Sequence, residues 1–297
     1  MAVRTQTLGH AAAQQPRKPM THYAGIFLRY LLLCVIGLIL FMPFILAALG
    51  TFKSNAEIIR FPPTLFPAEW QVENWSRVWN TDIGGGGTFP RWLFNTAFLS
   101  VTIATLQVIF SSMAAYAFAR LEFPGRDVVF AFMLATMMIP GAVTLIPAYV
   151  LMTKLRLINS FWALILPGAV GAGSIFLLTQ FFKSIPKDLE EAAFIDGASH
   201  GQIYRDVILP LVRPALLTVF ILQFQAMWNA FLPPLLYLNT PDKYVLNVAL
   251  TIFRQQFSAQ WNLTLVGAMF NAIPVLVLFF LFSRYYIEGV AYTGIKG

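Results

Sequence analysis

Six long apolar runs constrain this chain more than any other feature of its sequence. They lie at about 26–49, 92–118, 128–152, 161–182, 215–238 and 263–282. A hydrocarbon core roughly 30 Å thick needs about 20 apolar residues per helix, so each run is long enough to cross a bilayer. With 58% hydrophobic and only 11% charged residues, a soluble fold of 297 residues could not cover its apolar side chains. We therefore predict an all-α, polytopic membrane protein with about six transmembrane helices.

The polar segments between the runs predict an orientation. Residues 1–22 should form a disordered cytoplasmic tail, followed by a single membrane domain over 23–297. An N-terminus inside the cell places more than half of the 20 Lys and Arg residues on the cytoplasmic side, which favours an N-in/C-in topology. Segment 51–90 is then an extracytoplasmic loop, and segment 184–214 is a cytoplasmic one.

The loop at 51–90 carries three tryptophans, Trp70, Trp75 and Trp79. Their rings could form a platform on which a sugar stacks. The alternative, which we favour, places them in an interfacial aromatic belt or under a docked partner protein.

The chain lacks the residue patterns of enzymes and of ion-coupled transporters. Its three histidines, His10, His22 and His200, share no metal-ligand spacing, and neither GxSxG nor the phosphate-binding GxxxxGK[ST] occurs. No apolar run has Asp or Glu in its interior, where ion-coupled transporters place ionisable groups. The net charge of +7 is spread over the ends of the runs, so no nucleic acid partner is expected. We expect no catalytic residue, no metal and no bound cofactor, and an energy source in a partner.

Neutral polar residues do occur inside the runs. Gln225, Asn229 and Asn271 are candidates for lining the path of a polar, uncharged solute. The alternative for each is a hydrogen bond between helices, which is the commoner role of such residues in membranes.

The segment 184–214 predicts two short helices at an angle, just below the membrane. Ser184 is expected to cap the first helix, and Gly197 can adopt the left-handed conformation that ends it. Ser199, with Gln202 three residues later, forms the capping-box pattern that starts the second helix. A rigid bent element of this kind suits contact with another protein. The alternative is an ordinary amphipathic connector at the interface.

This segment resembles the EAA loop of importer permeases of the ATP-binding cassette superfamily. The residues that carry the resemblance are Glu191, Ala192, Ala193, Asp196, Gly197, Ala198, Tyr204, Leu209 and Pro210. The resemblance implies that the loop inserts into a cleft of an ATPase subunit and moves the transmembrane helices when that subunit closes. It further implies that Glu191 and Asp196 anchor the loop, that Gly197 makes its bend, and that Leu209 and Pro210 hold its exit. We call residues 184–214 the coupling segment.

A finer resemblance to MalG-type carbohydrate permeases covers nearly the whole chain beyond the tail. It rests on the stretches 227–232, 273–275 and 288–297. It implies a type I importer permease fold in a bacterial or archaeal cytoplasmic membrane. The implied partners are a second homologous permease, two ATPase subunits that use ATP and Mg, an extracytoplasmic solute-binding protein and the lipid bilayer. It also implies that the C-terminal residues contact the ATPase subunits: Gly294, Ile295, Lys296 and Gly297.

Three alternatives remain at this point. The same architecture could import a polyol, glycerol-3-phosphate, a peptide or an amino acid. An ion-coupled secondary transporter would need the intramembrane carboxylates that the runs lack. A membrane enzyme would need a nucleophile–base pair or a metal set, and the sequence offers neither.

Overall fold

The structure, a computed structural model, describes residues 20–256 and 260–294, and within them all regular secondary structure is helical apart from one isolated bridge between Asp82 and Thr88. The first half forms α1 (Met20–Gly50), α2 (Asn55–Ile58), α3 (Glu73–Trp79), α4 (Phe89–Arg120), α5 (Arg126–Thr136), α6 (Gly141–Lys154), α7 (Trp162–Gly168) and α8 (Ala172–Ser184). The second half forms α9 (Asp188–Ile195), α10 (His200–Gln202), a π-helix (Ile203–Ile208), α11 (Leu209–Leu211), α12 (Arg213–Trp228), α13 (Leu232–Tyr237), a 3₁₀ turn (Pro241–Lys243), α14 (Leu246–Gln256) and α15 (Trp261–Gly294).

The number of helices that could cross a membrane agrees with the sequence. Four helical stretches qualify by length and composition: Gly25–Gly50, Phe89–Arg120, Trp162–Ser184 and Trp261–Phe282. Two bent pairs bring the number to six. They are α5 with α6, bent by 99°, and the helices over His200–Leu211 with α12, bent by 78°. The prediction of an all-α, polytopic membrane protein with about six spans is confirmed. α1 begins at Met20, within the segment expected to be a tail, and residues 1–19 lie outside the described residues.

Three of the predicted spans are interrupted, and the run at 161–182 breaks between Gly168 and Ala172. The run at 128–152 breaks between Thr136 and Gly141, because Pro140 has no N–H to donate and disfavours helical backbone in the residue before it. The prediction of one span over 215–238 is wrong in its second half, since α12 ends at Trp228. Pro233 and Pro234 there lie in the first turn of the separate helix α13, a position that proline tolerates well.

α4 is the central helix of the bundle, and it packs closely against α8 and α12. Its buried face is rich in small and polar side chains, which allow neighbouring helices to approach. Gln107 of α4 donates a hydrogen bond to Ser174 Oγ of α8 at 3.1 Å, and Gln223 of α12 donates to the same oxygen at 3.3 Å. One buried polar junction therefore ties three helices together.

The loop between α1 and α4 is fixed to the N-terminal part of α15. Asn74 donates to the carbonyl oxygens of Thr51 and Lys53 at 2.9 and 3.0 Å, and it accepts from Asn262 at 3.1 Å. The Trp75 ring lies edge-on to Phe270, with ring centres 5.0 Å apart. Packing within the chain is thus a role for Trp75 that the sequence analysis did not consider.

Candidate coupling site

The first half of the coupling segment is a helix with a defined stop. α9 ends at Ile195 with Asp196 as its C-cap, and Gly197 follows with a φ of +85°. The Gly197 N–H donates to Phe194 O at 3.0 Å, and the Ala198 N–H donates to Ala193 O at 2.9 Å. These two bonds form a Schellman motif, the usual helix stop that requires left-handed backbone at one residue. The predicted bend at Gly197 is confirmed.

The second half starts with the predicted capping pair, Ser199 and Gln202. The predicted cap of the first helix, Ser184, is wrong. The Gln202 carboxamide oxygen accepts from both the amide and the hydroxyl of Ser199, each at 2.8 Å. α10 then continues into the π-helix and α11. Ser184 does not cap α9, because it is the last residue of α8 and donates instead to Phe181 O at 2.7 Å. α9 begins after Lys187.

The inner side of the second half packs on α4. Ile203 and Ile208 are fully buried, in the cluster that also contains Tyr116 of α4. The Tyr204 hydroxyl lies 2.7 Å from Ser112 Oγ of α4, and its ring lies 5.2 Å from that of Tyr116. Of the residues that carry the family resemblance, Tyr204 therefore faces the bundle and anchors the segment there.

A buried ion pair anchors the first half of the segment. Arg120, the last residue of α4, lies 2.7 Å from Glu190 of α9, and their side chains are only 4% and 10% exposed. The same guanidinium donates to Phe182 O at 2.6 Å and to Ile185 O at 2.7 Å. Neither residue stands out in the sequence, because a basic residue at the end of an apolar run is usually an interface anchor. The one available signal was a second glutamate, Glu190, directly before the EAA motif.

The outer side of the segment is exposed and carries the remaining predicted residues. Glu191, Ala192, Asp196, Gly197 and Pro210 are all exposed, whereas Ala193, Ala198 and Leu209 are half-buried against the bundle. An apolar side chain, Ile195, stands 87% exposed beside them. Such an acidic and apolar surface at the end of a bundle is suited to a protein partner.

A second ion pair, this one exposed, lies further along the segment. Arg205 donates to both carboxylate oxygens of Asp206, at 2.7 and 2.9 Å. Both side chains are largely exposed, so solvent screens this pair and it contributes little to stability.

Of the three candidate solute-path residues, Gln225 and Asn229 lie at the C-terminal end of α12, and Asn271 lies in the middle of the membrane-spanning stretch of α15. Asn271 donates to Asn247 Oδ1 at 3.1 Å, and its backbone oxygen accepts from the Trp228 indole at 3.1 Å. Asn271 thus takes part in a junction between helices. Asn229 is exposed and donates to the carbonyl of Gln225 one turn earlier, at 2.9 Å, and Gln225 is half-buried. A role in the solute path stays a prediction for all three.

The C-terminal residues are only partly described. Gly294 is the last residue of α15, and Ile295, Lys296 and Gly297 lie outside the described residues. Among the residues that are described, no group of three His, Cys, Asp or Glu side chains is placed to hold a metal ion.

A membrane bundle with a bent helical element fixed beneath its central helix defines a polytopic transport permease. The family follows from the sequence itself: residues 107–287, which include the whole coupling segment, match the family described as "Binding-protein-dependent transport system inner membrane component". The chain belongs to this family. It is a multi-pass transport subunit of the cytoplasmic membrane, and its transport depends on a binding protein.

Individual relatives resemble the chain over nearly its full length. It is 33% identical over 264 residues to the arabinooligosaccharides transport system permease protein AraQ of Halalkalibacterium halodurans, covering 88% of this chain and 93% of that protein. It is 32% identical to the diacetylchitobiose uptake system permease protein NgcG of Streptomyces coelicolor, covering 93% and 89%. A solved structure, a bacterial ABC transporter involved in the import of the acidic polysaccharide alginate, matches with a TM-score of 0.76 and 25% identity, over 92% of this chain and all of that one.

Proposed function

We propose that this chain is a permease subunit of an ATP-binding cassette importer, and that it moves a carbohydrate across the cytoplasmic membrane by alternating access. The observation that carries the proposal is the coupling segment, whose inner side is fixed to α4 and whose outer side is exposed. An element built in this way can receive a force from a partner and pass it to the transmembrane helices.

The carbohydrate assignment rests on the relatives and on the chemistry of the spans. Both relatives are named as permeases for oligosaccharides, and the solved transporter imports a polysaccharide. Gln225, Asn229 and Asn271 supply amide groups, which suit a solute rich in hydroxyls. A small solute such as a polyol remains the second candidate, because the same architecture could serve it.

The energy source is assigned to two ATPase subunits that bind ATP and Mg. The chain has no phosphate-binding loop of its own, and its EAA residues stand on the exposed side of the segment. Glu191 and Asp196 are the proposed anchors on the ATPase, and Ala192 leaves room for its surface. This chain itself would bind no cofactor.

A second permease is the proposed partner within the membrane. The break between α5 and α6 leaves Met138 84% exposed, beside backbone that is not helical. Non-helical backbone at membrane depth persists only where protein covers it or where it lines a water-filled cavity. A homologous subunit packed there would supply the cover and would close the solute path.

The orientation is assigned from the position of the coupling segment. If the ATPase subunits are cytoplasmic, the segment 184–214 is cytoplasmic and both chain ends lie inside, in a bacterial or archaeal cell. The loop at 51–90 then faces outward, toward the solute-binding protein. Within this scheme the permease domain is 23–297.

The direct test is uptake by cells that lack this gene but retain the other subunits. Restoring the chain should restore uptake of an arabino-oligosaccharide or a chito-oligosaccharide, presented with the cognate binding protein. Uptake of a polyol alone would replace the carbohydrate assignment with the second candidate.

Replacing Glu191 by Ala should weaken ATPase binding about tenfold, since a charged contact at an interface is worth roughly 1–3 kcal/mol. The measurement is the amount of ATPase that copurifies with the tagged permease complex. Glu122→Ala is the matched control, because Glu122 is also exposed at the turn after α4 but lies outside the segment. An unchanged copurification ratio for Glu191→Ala would remove Glu191 from the interface.

Deleting residues 294–297 should reduce the ATP hydrolysis that is stimulated by the solute-loaded binding protein, while the complex still assembles. The expected loss is several-fold, because only one of the two proposed ATPase contacts is removed. Full stimulation after the deletion would rule out a role for the tail.

A further inference from the structure

One face of α4 carries three residues that fix the coupling segment to this helix. Ser112, Tyr116 and Arg120 are spaced by four residues, so they share one side of the helix over its last turns. Ser112 and Tyr116 contact Tyr204, and Arg120 contacts Glu190. Both halves of the bent segment are therefore attached to the same helix.

Arg120 joins three elements at once. Its guanidinium, at the end of α4, meets the Glu190 carboxylate of α9 and donates to two carbonyl oxygens at the end of α8, those of Phe182 and Ile185. Carbonyl groups in the last turn of a helix lack partners within the helix and carry its partial negative charge. A planar guanidinium with five N–H donors can satisfy these acceptors and a carboxylate together.

Two adjacent glutamates take opposite positions on α9. Glu190 is buried on the inner side, while Glu191 is exposed on the outer side. Neighbouring residues of a helix do not face the same way, so one short helix can meet the bundle with one carboxylate and a partner protein with the next.

We infer that Arg120 is the positioning residue that makes α9, α4 and α8 move as one body when the coupling segment is displaced. This inference rests on the proposed function, in which an ATPase moves that segment. A buried ion pair suits the task, because separating it would leave two uncompensated charges away from water. α4 then carries the motion to mid-membrane, where Gln107 shares Ser174 with Gln223 of α12.

The inference predicts uncoupling without loss of docking. Arg120→Gln should lower uptake about tenfold. ATP hydrolysis in the same complex should no longer respond to the solute-loaded binding protein. The amount of copurified ATPase should stay near the native value, since the outer side of α9 is unchanged. The variant Glu190→Gln leaves both carbonyl contacts of Arg120 in place, so it should show the same pattern more weakly. It replaces Arg120→Gln in the experiment if that variant does not accumulate in the membrane.

The controls separate this role from general destabilisation and from docking. Arg126→Gln removes a 2.9 Å ion pair with the exposed Asp127 and a 3.3 Å hydrogen bond to Leu121 O, at the same end of the bundle, and should leave uptake unchanged. Arg120→Lys should recover part of the coupling, because it keeps a positive charge beside Glu190.

Three outcomes would overturn the inference. The first is native uptake by Arg120→Gln and Glu190→Gln. The second is loss of copurified ATPase with both variants, which would make the pair part of the docking surface. The third is a native complex that retains no ATPase, which would overturn the proposed function as well. Uncoupling with ATPase retained in the glutamine variants supports both.

Discussion

Replacing Gly197 by Val is expected to abolish transport while leaving the chain in the membrane. Gly197 holds a φ of +85°, a conformation that costs other residues roughly 1–2 kcal/mol and a β-branched residue more. A Cβ atom there would meet nothing within 4 Å, so the expected defect comes from the backbone alone. With the Schellman bonds of Ala198 and residue 197 broken, α9 would present its outer side to the ATPase at the wrong angle.

The measurements are uptake and copurified ATPase, each related to the amount of chain in the membrane. Gly201→Val is the matched control, because Gly201 lies in the same segment, is exposed and also has open space around its Cβ position, but lacks a positive φ. The control should transport normally. Normal uptake by Gly197→Val would show that the bend is not needed.

Replacing Gly171 by Ala is expected to destabilise the bundle by about 2–4 kcal/mol, the sum of overpacking and lost hydrogen bonds. A Cβ atom at this position would overlap the carboxamide nitrogen of Gln107 and lie 3.2 Å from its Cδ. Gln107 is buried, so it would have to leave Ser174 without finding water. The junction of α4, α8 and α12 would then lose the Gln107 donor, and only Gln223 would still donate to Ser174 Oγ.

Thermal unfolding of the purified complex in detergent measures this effect. Gly173→Ala provides the comparison two residues away, since its Cβ would lie 3.6 Å from the nearest atom, the Cε of Met137, which is an ordinary contact. We expect a clearly lower melting temperature for Gly171→Ala and an unchanged one for Gly173→Ala. Equal melting temperatures for the two variants would mean that the Gln107 side chain can adopt another position without loss of stability.

Local chemistry made the coupling segment predictable. The helix stop at Gly197 and the capping by Gln202 depend on residues at most five apart, so their pattern is visible in the sequence. The membrane spans could be predicted as well, because each depends on the length and hydropathy of one continuous run. Their interruptions were harder to place, because the run continues through Phe231–Leu238 although the helix ends at Trp228.

The anchor beneath the bundle could not be predicted in the same way. Arg120 and Glu190 lie on different helices, far apart in sequence, and only the packing of α4 against α8 brings them together. A basic residue at the end of a span usually anchors that span at the membrane interface, and the position of Arg120 in the sequence suggests the same role. A single sequence does not distinguish that case from a buried ion pair.

The contacts of the candidate solute-path residues could not be predicted either, because they also join residues on different helices. Asn247 lies on α14 and Asn271 on α15, 24 residues apart, and the sequence alone does not indicate that they pair. The structure adds a structural role for Asn271, while Asn229 remains exposed on α12. Of the three predicted residues, Asn229 is thus the one that is exposed, and its role in the solute path stays a prediction.

The most direct test of the account is transport by the purified complex in proteoliposomes, with ATP on the side that the coupling segment faces. We predict that oligosaccharide uptake requires ATP and the binding protein, and that it continues when an uncoupler collapses ion gradients. Uptake that proceeds without ATP and stops with the uncoupler would contradict the account, and the chain would then be an ion-coupled transporter.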